Sequence, residues 1–253
     1  MSYTVITGAS AGIGSEFAKQ LAQTGQNLVL VARRKEKLEE LAQTLQAQHD
    51  IDVKCFAIDL AEPTGSEILA TEIRINHLAV NGLINNAGFG DRGNFADLPL
   101  QRQMQMIQLN VSTLVELTHR LVPNMREQKK PFIINVASTA AFQAGPNMAV
   151  YYATKAFVLS FSEAIHEELR HQGIAVSALC PGPTLSEFAA EANITDSNLF
   201  KAGAMTSADV AKQALANRHS AIVVTGIKNQ VAVLAGKVSP RFITRKIAGW
   251  LQA

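Results

Sequence analysis

Cysteine is nearly missing from this chain. Its 253 residues include two, Cys55 and Cys180, far apart and each inside an apolar run. That pattern fits two buried thiols in a reducing compartment and argues against a disulfide framework or a zinc site. A strong excess of one charge is missing too. The formal net charge of +2 is too small to suggest a nucleic-acid binder. No apolar stretch approaches the ~20 residues that a spanning helix needs. The opening "MSYTVITGAS" has no basic n-region and runs straight into a strand-like segment, so no signal peptide is visible. Together these absences lead us to expect a soluble, cytoplasmic protein with no membrane span. What is present, 47% hydrophobic and 17% charged residues, is the composition of an ordinary globular chain rather than a disordered one.

Short β-branched or aliphatic runs alternate with amphipathic ones. Strands are expected at 3–7, 27–32, 52–58, 82–85, 132–137, 174–179 and 221–224. Helices are expected at about 12–24, 35–48, 64–76, 101–128, 151–171 and 207–217. This rhythm predicts an α/β fold, a Rossmann-type doubly wound parallel sheet of about seven strands with helices on both faces. No repeat or linker divides the sequence, so 1–253 is expected to form a single domain. Two segments break the rhythm. Residues 181–206 form a long connection of weak periodicity, the kind that often serves as a lid. Residues 228–253 belong to a basic C-terminal tail. No acidic residue follows Asp209, while Lys212, Arg218, Lys228, Lys237, Arg241, Arg245 and Lys246 are all cationic. A solvated helical face is the plainer reading; contact with an acidic partner or a membrane surface is its rival.

The segment "VITGASAGIGSEFAKQL" runs from a strand through Gly8, Gly12 and Gly14 into a helix. Glycine there permits positive φ and lets a ligand approach the backbone. Free amides at the helix N-terminus then favour a pyrophosphate. The spacing is G-x-x-x-G-x-G rather than G-x-G-x-x-G, with the same physical logic, and Ser10 and Ile13 fall inside the loop. A carboxylate at the end of the second strand would hold the ribose hydroxyls of NAD. Here Arg33 and Arg34 stand in its place. Guanidinium groups match phosphate oxygens, so the expected cofactor is NADP(H). Arg33, at the strand tip, is the preferred 2′-phosphate contact, and Arg34 is expected to point more along the helix surface.

Farther on, "AVYYATKAF" sets Tyr151 and Tyr152 ahead of Lys155. On a helix either tyrosine could touch the lysine, at i,i+4 or i,i+3. Local spacing leaves both open as the proton-bearing group.

Taken in order, "TGASAGIG" at 7–14, "NNAG" at 85–88, Asn110, Ser138, Tyr151 with Lys155, and "PGPT" at 181–184 resemble the short-chain dehydrogenase/reductase family. The resemblance covers nearly the whole chain except the lid and the tail. It implies that Tyr151 is the acid, because the family pattern is Y-x-x-x-K and Ala156 stands where Tyr152 would need a lysine. It further implies that Lys155 lowers the phenol pKa and holds the nicotinamide ribose, that Ser138 orients the substrate carbonyl, and that Asn110 holds a water in the proton relay. Asp59 would contact the adenine, with a turn or cap role as its rival. Asn86, Ala87 and Gly88 would pass beside the cofactor, Pro181 and Gly182 would open the lid, and Thr184 would meet the carboxamide. No metal is expected, since the tyrosine supplies the proton. Family members are commonly dimers or tetramers through the helices corresponding to 101–128 and 151–171, and the same is expected here.

The substrate is expected between the segment after Ser138 and the lid, with Phe142, Met148 and Phe188 as apolar contacts and Leu199 and Phe200 nearby. An NADPH-dependent carbonyl reductase, reversible as an alcohol dehydrogenase, is the leading expectation. A 3-oxoacyl thioester reductase is the same-fold alternative. A non-catalytic NADP-binding sensor is the third, disfavoured because a sensor has no need of all four catalytic positions.

Overall fold

All seven expected strand segments are strands in the computed structural model, which describes residues 1–201 and 203–252. The chain alternates β1 (Ser2–Thr7), α1 (Gly12–Ala22), β2 (Asn27–Ala32), α2 (Lys35–Gln48), β3 (Val53–Ala57), α3 (Gly65–Ile75) and β4 (Ala79–Asn85). It continues with α4 (Leu100–Ile107), a π-helical turn (Gln108–Thr113), α5 (Leu114–Met125), β5 (Phe132–Val136), α6 (Ala149–Arg170) and β6 (Ala175–Cys180). The helix expected over 101–128 is therefore interrupted by a π turn, a feature common beside functional sites.

Residues 181–206 contain two short strands, β7 (Thr184–Leu185) and β8 (Met205–Thr206), paired in parallel, with α7 (Glu187–Glu191) and α8 (Asn198–Lys201) between them. Then come α9 (Ser207–Ala216), β9 (Ile222–Val224), α10 (Ile227–Val238) and α11 (Arg241–Leu251). The basic tail is thus two helices.

The central sheet has the order β3-β2-β1-β4-β5-β6-β9, and every pairing in it is parallel. The chain builds outward from β1 to β3, then crosses back to lay β4 on the other side of β1. Loops leaving β1 and β4 consequently diverge, which opens a crevice at the C-terminal ends of the strands.

Side-chain alternation along the strands explains the two layers of helices. Ile6, Leu28 and Leu30 face one side, where they pack with Phe17 and Leu21 of α1, Leu38 and Leu45 of α2, and Val210 of α9. Val5, Val29 and Val31 face the other, against Leu69 of α3, Leu117 and Leu121 of α5, and Ile165 of α6. Each such side chain, fully buried, contributes about 1.5–3 kcal/mol. Both faces of the sheet are covered, and its strand ends are held rigid.

Candidate active site

At the end of β1 the backbone enters the left-handed region at Gly8 (φ +64) and again at Gly12 (φ +57). A Cβ on Gly8 would stand 2.8 Å from Asn86 Nδ2, so only glycine lets the two loops meet. Asn86 Nδ2 donates to the carbonyls of Thr7 at 2.9 Å and Gly8 at 3.2 Å. Thr7 Oγ1 in turn accepts from the amides of Asn86 and Ala87, both at 2.9 Å. The two cofactor-type loops are stitched into one wall.

That wall borders a cleft of about 480 Å³ lined by Gly8, Ser10, Gly12, Ile13, Asn86, Ala87 and Gly88. Ala11, which precedes α1, offers no side-chain cap, leaving the first-turn amides for a ligand. Uncapped amides and a cradle that a Cβ would fill suit a dinucleotide pyrophosphate. Gly14 is a correction to the sequence reading. It does not line the cleft, and a Cβ there would collide with the Gly8 carbonyl, so it seats α1 against the loop.

The arginines also divide differently from expectation. Both line the cleft. Arg34 does not run along the helix surface: its Nη2 donates to Ser10 Oγ at 2.9 Å and pairs with Glu187 of α7 at 2.7 Å. Lys37 Nζ reaches the same carboxylate at 3.0 Å. These two cations, Arg34 first, hold the Glu187 carboxyl below its ordinary range. The end of β2 therefore already binds an anionic group. Asp59 also lines the cleft while its Oδ1 accepts from the Ala61 amide at 2.9 Å, so the turn role and the wall position coexist.

On the opposite wall β5 ends at Val136 and the chain reaches Ser138, whose Oγ accepts from the Ala140 amide at 3.0 Å. Helix α6 then points Tyr151 and Lys155 into the cleft, 9% and 6% exposed. Lys155 Nζ donates to the Val136 carbonyl at 2.7 Å and lies 5.8 Å from the Tyr151 ring centre. Burial lowers the Lys155 pKa to about 8. Burial likewise pushes the Tyr151 phenol well above its ordinary value, while the nearby Ser138 hydroxyl pulls the other way. The phenol is thus a protonated donor at neutral pH.

Asn110 takes its place behind the cleft wall. It is buried, sits in the π turn, and is not among the side chains lining the cleft. Its Nδ2 donates to the Phe89 carbonyl at 3.0 Å and to Thr154 Oγ1 at 3.2 Å, while its Oδ1 accepts from the Phe89 amide at 3.2 Å. Those three bonds make the side chain a brace for the Gly88–Phe89 backbone.

Pro181, Gly182 and Thr184 line the cleft where the chain leaves β6, and Thr184 Oγ1 donates to the Gly182 carbonyl at 2.9 Å. Met148 and Phe188 line it as expected, as do Leu199 and Phe200. The Phe188 ring centre lies 5.5 Å from that of Tyr151. Phe142 does not line the cleft. The 3-10 turn Thr139–Phe142 carries its ring away, into a cluster with Val158 and Cys180, where the Lys237 ammonium lies 5.2 Å from the ring centre.

Sequence reasoning missed Gln252. It is buried, lines the cleft, and its Nε2 donates to the Tyr152 hydroxyl at 2.8 Å across 100 residues of sequence. Its Oε1 is buried with no hydrogen-bond partner among the described residues. Tyr152 therefore belongs to the pocket, packed edge-on against Tyr151 with ring centres 6.2 Å apart.

A family model described as short chain dehydrogenase matches residues 2–197. The chain belongs to that short-chain dehydrogenase/reductase family. It is 33% identical over 186 residues to a very-long-chain 3-oxoacyl-CoA reductase from Anas platyrhynchos, covering 71% of this chain and 59% of the relative. The chain spans little more than half the length of the curated relatives it matches. Among solved structures it resembles a short-chain dehydrogenase from Sphingobium yanoikuyae in complex with NADPH, with a TM-score of 0.83, 30% identity and 93% of each chain covered. It also resembles a 3-ketoacyl-(acyl-carrier-protein) reductase from Brucella melitensis complexed with NADH, with a TM-score of 0.78 and 25% identity over 88% of this chain and 96% of that one.

Proposed function

We propose that this protein is an NADPH-dependent oxidoreductase that reduces a ketone or aldehyde to an alcohol, reversibly, with Tyr151 as the general acid. The observation that carries the reading is the convergence of Ser138, Tyr151 and Lys155 on the wall facing the glycine loop, in one cleft. NADPH, when bound, supplies the hydride. The chain's own residues manage the oxygen. Ser138 hydrogen-bonds it and fixes the carbonyl's direction, and Tyr151 Oη delivers the proton. Lys155 places a cation beside the phenol, so the anion left behind costs less. Phe188 and Met148 cover the site and keep water from the reacting atoms.

Arg33, Arg34 and Lys37 support NADPH over NADH. A 2′-phosphate would replace Glu187 as the partner of Arg34 and Lys37, as one anion exchanged for another. The 3-oxoacyl thioester reading is favoured by one further observation. The same cleft is also lined by the apolar Ile194, Leu199, Phe200 and Leu251 and by the polar Tyr152–Gln252 pair, which suits a substrate with an apolar stretch and a second polar group. Localisation in the cytoplasm and assembly into a dimer or tetramer remain part of the same proposal. The half-exposed Phe157 of α6, stacked on Phe161 with ring centres 5.9 Å apart, supports such assembly.

A panel of simple ketones, aldehydes and 3-oxoacyl thioesters, each assayed with NADPH and with NADH by the loss of reduced-cofactor absorbance, tests this reading. Turnover of at least one carbonyl with NADPH preferred is expected. Binding of NADPH with no turnover across the panel would favour the sensor reading.

A further inference from the structure

The C-terminal helices carry an apolar surface that nothing among the described residues covers. On α10, Ile227, Val231, Leu234 and Val238 are all exposed, the first and last at 79%. At ~100° per residue these four fall on one stripe, roughly opposite the side formed by Asn229, Val233 and Gly236. That opposite side holds the helix to the protein: Val233 is buried, Asn229 Nδ2 donates to the Thr225 carbonyl at 2.7 Å, and Gly236 lies beside Gln143. An amphipathic helix in a globular protein turns its apolar stripe inward. Here the stripe faces directly out. On α11 the same inversion recurs, with Phe242, Ile243, Ile247 and Trp250 exposed while Ala248 is buried.

The charges around these stripes are of one sign. Lys228 and Lys237 fall on the two flanks of the α10 stripe, and Arg241, Arg245 and Lys246 are exposed on α11. No acidic residue follows Asp209. Two copies of this chain meeting through the helices would bring like charges together. An anionic surface with an apolar layer beneath it would satisfy both features, as cations on the flanks reach headgroups while the stripe enters the acyl boundary.

We infer that α10 and α11 form a docking surface for an anionic phospholipid bilayer, lying on the membrane and not spanning it. No helix among the described residues is long and apolar enough to cross one. The surface lies beside the cleft. Both helices border the segment after Ser138, α10 at Gln143 and α11 at Pro146, and the end of α11 supplies Leu251 and Gln252 to the cleft. The inference is independent of the chemistry performed there.

Trp250, the single tryptophan, is 65% exposed on this surface and reports the contact directly. The full chain would be mixed with phosphatidylcholine vesicles, with or without phosphatidylserine, and followed by flotation and Trp250 emission. Flotation with the anionic vesicles and an emission shift to shorter wavelength are expected, both fading at ~1 M salt, where charges are screened beyond ~3 Å. Each Lys→Gln or Arg→Gln change at Lys228, Lys237, Arg241 or Arg245 should weaken binding about fivefold. Leu234→Glu and Ile247→Glu, both at exposed positions and checked by thermal melting, should abolish it. Failure to bind anionic vesicles, or binding that survives Leu234→Glu, would overturn the inference. So would a concentration-dependent Trp250 shift without vesicles that Leu234→Glu removes, because a second copy would then cover the stripe.

Discussion

The floor of the cleft and its far rim are built in opposite ways. The floor comes from residues next to strand ends: Gly8 after β1, Arg33 and Arg34 after β2, Asn86 after β4, Ser138 after β5 and Pro181 after β6. Each strand is clamped between two layers of helices, so these positions are fixed by the core itself. The rim comes from the segment between β7 and β8 and from the last residues of the chain, and its ties are side-chain contacts over long separations. Gln252 reaches Tyr152, Arg92 Nη1 donates to the Gln252 carbonyl at 3.0 Å, and Asn198 Nδ2 donates to the Trp250 carbonyl at 3.0 Å. A floor anchored in this way can hold reacting atoms in place. A rim held by such contacts and by one small apolar cluster, Ala189, Ala192 and Ile194 against Met148 and Tyr152, stands outside the clamped sheet and is suited to selecting what enters.

If that division is right, changes in the floor should act on turnover, and changes in the rim on substrate affinity. The largest effect is expected at Lys155. Lys155→Met should reduce turnover close to background and also weaken NADPH. Burial brings the pKa of this lysine down to about 8, so its cationic share falls as pH rises through that region. The kcat/KM for a ketone, which reports the free enzyme, should therefore fall as pH rises through that value. A profile that instead rises there would mean the neutral amine is the active form.

Next in size is cofactor choice, where floor and rim meet. Arg34→Asp or Arg33→Asp should each weaken NADPH about ten- to a hundredfold while leaving NADH little changed, since a hydrogen bond to a charged group is worth roughly 1.5–3 kcal/mol. Titration of both cofactors at low and high salt decides this, and an NADPH affinity unmoved by either change would remove the phosphate clamp. The smallest effect is expected at the rim. Gln252→Leu should raise KM about fivefold with kcat nearly unchanged, and should cost about 1 kcal/mol of stability for the lost Tyr152 contact. A fall in kcat of the same size with KM constant would place Gln252 with the floor.

The same division explains how much could be read from sequence. All seven strands of the sheet are legible, because an apolar run bounded by turns signals a strand buried on both faces. The loop and tyrosine motifs are legible because their parts lie within a few residues of one another. Phe142 misleads because a single 3-10 turn sets its direction, and hydrophobicity says nothing of direction. The bracing contacts of Asn110 have no local signal, because its partners, Phe89 and Thr154, are 21 and 44 residues away. Arg34 bends over the loop because Ser10 and Glu187 wait there, contacts that no local pattern encodes. The tail defeats the periodicity rule altogether, since its apolar stripe faces outward. Gln252 has no local signal at all.

The central claim is that one of two adjacent tyrosines carries the proton. Single-turnover hydride transfer should be measured for Tyr151→Phe and Tyr152→Phe alongside their NADPH affinities. Tyr151→Phe is expected to bind NADPH as the wild type does and to transfer almost nothing, because its hydroxyl acts only on the reacting oxygen. Tyr152→Phe is expected to retain most of its transfer rate, with its loss confined to substrate affinity through Gln252. An active Tyr151→Phe beside an inactive Tyr152→Phe would contradict the account.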